Sequence, residues 1–243
     1  MFHSFQEVSA RIDVAIRQSL PNRALPIDLA LAMAREGIVP MRAAVALSLT
    51  AATGAVELAA ALELMYLAVH RLHHQLDHER RDGLGMGVAA DVLVGDYLST
   101  GAFRLLVQCA NMAVMGVISH AVQRSCEAEL VALLAAPAFG QNAMAELVRC
   151  TEPLGEAAGR AGAILDCCDD DMVALAGRFG RNACVAAALR HADAADDGFA
   201  TAATAALRQA EADAEQIYAC TMNEGPRRVC AALRDVQPAL ANG

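Results

Sequence analysis

Between Ala43 and Val69 the chain carries only two charged side chains, Glu57 and Glu63. A stretch this apolar has no stable place on a wetted surface, so it must be buried either in a bilayer or inside its own protein. It is long enough to span a membrane, but a charge near the bilayer centre costs about 3 kcal/mol on insertion scales. Gly54 also parts the run into two helix-length pieces. A buried helix pair at the heart of a helical bundle suits it better, and no transmembrane segment is expected.

The rest of the chain agrees with a bundle. Hydrophobic residues make up 56% of the sequence, many of them alanine, while aromatics are 4% and tryptophan is absent. Alanine is the best helix former because it loses no side-chain entropy. Few segments show the alternating β-branched pattern of strands, so the expected fold class is all-α. With 243 residues, one domain covering residues 1–243 can hold a substantial core, and no linker or internal repeat divides it. Helices are expected over Phe2–Ser19, Ile27–Arg35, Met41–Ala52 and Glu57–Arg80. After the glycine-rich turn Asp82–Gly87 they are expected over Ala90–Gln108, Asn111–Leu134, Gln141–Arg149, Pro153–Leu165, Asp170–Ala194, Phe199–Thr221 and Pro226–Val236. Pro153 suits a first helical turn, and Asp169, Asp170 and Asp171 suit a helix N-terminus.

Charge and reactive groups narrow the function. The net charge of −9 argues against nucleic acid as a partner, since phosphate backbones select basic faces. All 19 basic side chains are arginine, which excludes Schiff-base chemistry on lysine and any lysine grip on phosphate. The eight cysteines form no CxxC pair, and Met1 to Arg23 is polar and amphipathic rather than a signal peptide. Free, buried thiols in a reducing cytoplasm are the expectation.

Four segments then fall in a recognisable order. Ala59-Ala60-Ala61-Leu62-Glu63-Leu64, Val92-Leu93-Val94-Gly95-Asp96-Tyr97-Leu98, Arg149-Cys150-Thr151 and Phe179-Gly180-Arg181-Asn182 resemble the AAAxEL, VLxGDYL, KT and FGxx segments of the trans-isoprenyl diphosphate synthases. Order and approximate spacing agree from about Gly37 to Asp197. The resemblance implies an isoprenoid-synthase-type helical bundle around a central cavity. In that family two aspartate-rich DDxxD motifs on facing helices hold magnesium and an allylic diphosphate. Magnesium takes hard oxygen ligands and stabilises the departing diphosphate.

Each of those elements is altered here. The place of the first motif reads His74-Gln75-Leu76-Asp77-His78, and Asp77 is displaced by one residue, about 100° around a helix. The second, in register from Phe179, reads His191-Ala192-Asp193-Ala194-Ala195. Cys150 stands where the lysine of KT would be. The phosphate loop becomes Gly37-Ile38-Val39-Pro40-Met41-Arg42, with Arg42 in place of the proline. Arg80 and Arg81 match the RR pair after the first motif and are candidate phosphate contacts; a solvated helix end is the competing reading. His70, His74 and His78 line one helix face at i, i+4, i+8, a spacing that could take zinc, or are polar replacements around a leftover cavity. Asp193, Asp196 and Asp197 either rebuild a shifted metal site or decorate a solvated helix end.

The resemblance therefore implies a non-catalytic subunit of a heteromeric polyprenyl diphosphate synthase, one that stabilises a catalytic partner and influences product chain length in isoprenoid biosynthesis. No catalytic residue and no metal are expected in this chain, and magnesium is expected in the catalytic subunit. Small-residue surfaces such as Ala59–Ala61 and Ala186–Ala188 are the expected places for close helix approach. A prenyl chain in the cavity is a candidate ligand, and the reading admits a homodimer. Two alternatives stand beside it: a divergent prenyltransferase or terpene-synthase-like enzyme with an altered metal site, and a protein that binds a prenyl chain.

Overall fold

The structure is a computed structural model that describes residues 4–20, 39–69, 88–134, 143–192 and 197–236. All the regular structure among them is helical, in nine helices. Helix α1 (Phe5–Ser19) starts at Ser4, whose hydroxyl accepts the Glu7 N–H at 3.1 Å, and it buries Val8, Ile12, Ala15 and Ile16 along one stripe. That spacing is the helical period read from the sequence.

The apolar run supplies the centre of the molecule. In α2 (Met41–Leu49) every residue is buried. Gly54 turns the chain with φ 89°, a conformation that costs other residues a Cβ clash. Helix α3 (Ala55–Tyr66) then runs back, buried from Leu58 to Met65. The pair packs on itself and is enclosed by α1, by α4 (Val88–Gln108), by α6 (Ala143–Leu165) and by α7 (Asp170–His191). No described helix is long and apolar enough to cross a membrane.

The closest packing joins α6 to α7. A methyl group at Gly159 would overlap the Ala176 carbonyl oxygen, and one at Gly180 would overlap that of Gly155. Only glycine lets the two backbones approach this far. Asp169 caps α7 by accepting the Met172 N–H at 2.9 Å, as its position in the sequence suggested. Helix α5 (Met112–Leu134) lies on α6, while α8 (Asp197–Thr221) packs on α7 and α9 (Gly225–Arg234) bridges α8 and α2. Between α4 and α5 the contact is slight.

Three expectations are corrected. Gln141–Arg149 and Pro153–Leu165 are one helix, with Pro153 inside it. Proline removes one intrahelical hydrogen bond, yet α6 is clamped between α5 and α7, and Thr151 and Leu154 are buried on either side of the proline. Tertiary packing overrides the local breaker. Ala59, Ala60 and Ala61 are inaccessible to water, and Ala186 and Ala187 are buried, so they fill the core rather than offer a surface. Nor are all the thiols buried: Cys126, Cys167 and Cys220 are exposed, and all eight are free.

Candidate functional site

At one pole of the bundle the C-terminal end of α3 meets the start of α2, with Cys184 of α7 beside them. The joint is Glu63. Its carboxylate accepts the backbone N–H of Ala43 at 2.9 Å, in the first turn of α2, and the Arg42 Nε–H at 3.3 Å. A helix N-terminus presents unpaired N–H groups and partial positive charge, so a carboxylate there is doubly matched. The Arg42 guanidinium also lies over the Tyr66 ring, 3.5 Å from its centroid. Side-chain exposure is 5% for Arg42 and 4% for Glu63, which makes this a buried ion pair with both charges compensated. Burial alone would lower the Arg42 pKa, but Glu63 and then Tyr66 outweigh it and leave it raised. Arg42 is charged at every accessible pH and committed inward.

The thiols at this pole are inert. Cys184 of α7 is buried beside the same pair, and its pKa is pushed up to about 12, chiefly by desolvation. Cys150 of α6 is pushed higher by burial and by its hydrogen bond to Glu129 of α5. A thiolate is the reactive form, so neither serves as a nucleophile near neutral pH. His191, the last residue of α7, is half-buried. Its Nε2 is enclosed without a hydrogen-bond partner among the described residues, and desolvation lowers its pKa.

Of the residues singled out in the sequence, the structure places few. His70, His73, His74, Gln75, Asp77, His78, Arg80 and Arg81 lie outside the described residues, as do Asp193 and Asp196. Asp197 opens α8 and is exposed. No group of three or more His, Cys, Asp or Glu side chains among the described residues could hold a metal ion. The sequence reading missed the Arg42–Glu63–Tyr66 cluster. Its signal was a lone glutamate in a run too apolar to be exposed, which must find a partner.

This arrangement of helices is found in solved structures of prenyl diphosphate synthases. A decaprenyl diphosphate synthase from Rhodobacter capsulatus superposes with a TM-score of 0.66 at 25% identity, covering 76% of this chain and 62% of that one. A polyprenyl synthase from Caulobacter crescentus, solved with calcium and isoprenyl diphosphate, gives 0.68 at 19% identity over 96% of this chain and 95% of its own. A geranyltranstransferase from Methanosarcina mazei gives 0.72 at 14% identity over 97% of each. No protein-family model matches this chain, and no curated protein does. The fold is that of the isoprenoid diphosphate synthases.

Proposed function

We propose that this chain belongs to the polyprenyl diphosphate synthases as a non-catalytic subunit, which assembles with a catalytic synthase and tunes the length of its product. One structural observation carries the assembly half of this reading. Seven of the nine large apolar side chains exposed among the described residues lie on α4 and α5: Val92, Leu93, Phe103, Val107, Met112, Leu130 and Val131. On α4 the exposed positions Leu93, Asp96, Thr100, Phe103 and Val107 recur at alternating intervals of three and four. That spacing is the seam of a helix meant to pack on another helix. The proposed occupant is the matching helix pair of a catalytic synthase subunit.

The non-catalytic half rests on the altered motifs. His74-Gln75-Leu76-Asp77-His78 and His191-Ala192-Asp193 leave too few carboxylates in register for a magnesium–diphosphate site. Arg42 supports the same reading, because a guanidinium held by Glu63 and Tyr66 is not offered to a diphosphate.

The test is prenyl transfer from allylic primers to labelled isopentenyl diphosphate with magnesium. It compares this protein alone, a catalytic synthase of the same source alone, and the two together. The expected result is no turnover alone and a gain or a change of product length on mixing. Leu93→Asp with Val107→Asp should abolish the effect of mixing. Turnover by this chain alone, lost in His74→Ala or Asp193→Ala, would make it an enzyme with a rebuilt metal site instead.

A further inference from the structure

At the pole opposite Arg42, three helices end together. The last turns of α2, α6 and α8 converge on a cavity of about 270 Å³. Each helix C-terminus carries roughly half a unit of negative charge, and three of them point at one space. Asp166 adds a full negative charge at the rim, with one carboxylate oxygen accepting the Thr50 hydroxyl at 3.1 Å. The helix that begins here, α7, brings Asp169, Asp170 and Asp171 in its cap and first turn, which cancel its positive end. Arg227 and Arg228 at the start of α9 are paired with Glu215 and Glu224. No Arg or His among the described residues lines the cavity.

The walls say what kind of cation fits. Leu47, Leu49, Ala163, Met172 and Ile217 make much of the lining apolar. The polar groups between them are already engaged: the Ser48 hydroxyl donates to the Val45 carbonyl, and the Thr221 hydroxyl to that of Ile217. The Asn223 amide in turn donates to the Ser48 carbonyl. The space would hold on the order of nine waters, far more than one metal ion fills. We propose that this cavity binds a small aliphatic ammonium compound, its charged end at Asp166 and the helix termini and its hydrocarbon body against the leucines. The site is independent of the subunit role.

Isothermal titration of the whole protein with n-butylammonium chloride at constant ionic strength tests it. Saturable binding at one site is expected, about tenfold weaker in Asp166→Asn, the equivalent of one charge-assisted hydrogen bond. It should be lost in Ala51→Arg, which sets a cation at the exposed mouth. Both positions are exposed, so both variants should keep the parent melting temperature. Absence of saturable binding, or full affinity in either variant, overturns the site and assigns any heat to diffuse attraction by the net charge of −9.

Discussion

Leu62 on α3 and Leu93 on α4 are leucines within two apolar helices of one chain; the first is inaccessible to water and the second is 68% exposed. Their helices differ in the same way throughout. Helices α2 and α3 bury nearly every side chain and hold their only buried charges in a closed pair. Helices α4 and α5 bury one face each and leave Leu93, Val107, Met112, Leu130 and Val131 more than half exposed. Apolar composition alone does not decide burial. The first pair is enclosed by helices of its own chain, whereas α4 and α5 have helices on one side only and touch each other slightly. Apolar area left in water by one chain is area that association with another can bury.

The largest expected effect lies in the enclosed pair. Glu63→Ala strands the Arg42 charge in the core and unpairs the Ala43 N–H. Removing one partner of a buried ion pair costs about 3–5 kcal/mol, read from urea denaturation. Replacing both partners, as Arg42→Met with Glu63→Leu, should recover most of that loss, because two apolar groups leave no uncompensated charge. If the single variant is as stable as the parent, water reaches Arg42 and the enclosed half of the comparison fails.

Leu62→Ala against Leu93→Ala sharpens it further. Leu62→Ala should cost about 2–5 kcal/mol through lost burial and a cavity. Leu93→Ala should stay within about 0.5 kcal/mol, as exposed substitutions do, when measured at a concentration where sedimentation shows a monomer. A large loss at Leu93 under those conditions would mean that its face is already covered within the monomer.

How far the sequence foretold this differs between the two pairs and the site. The central helices were legible because a run from Ala43 to Val69 with two charges leaves no other place to put it. The cap at Asp169 was legible because capping is local. Pro153 misled, since a proline signals a break only by its own backbone, and the clamp of α5 and α7 on α6 is set by residues far along the chain. The alanines at 59–61 misled for a related reason: a small side chain permits close approach without saying whether the neighbour comes from the same chain or another. The altered motifs could be read residue by residue. The pole around Arg42 could not, because Arg42, Glu63 and Cys184 are brought together from three helices.

The smallest effect concerns a half-buried polar group in the last turn of α7. Desolvation lowers the His191 pKa below its ordinary 6.5 in the folded state. The unfolded chain, fully solvated, titrates near that ordinary value. As pH falls through 6.5 the unfolded chain therefore binds a proton that the folded chain refuses, and linkage makes the folded state lose stability. The favourable contribution is fully present above about 6.5 and is lost as pH falls toward the folded pKa. His191→Gln should flatten this part of the stability profile, measured as the difference between parent and variant by denaturant titration from pH 8 to pH 5, so that the other histidines cancel. The change should be smaller than at Glu63 or Leu62, because the ring is only half-buried. An unchanged slope would mean that the imidazole accepts its proton freely, and that the last turn of α7 is open to water.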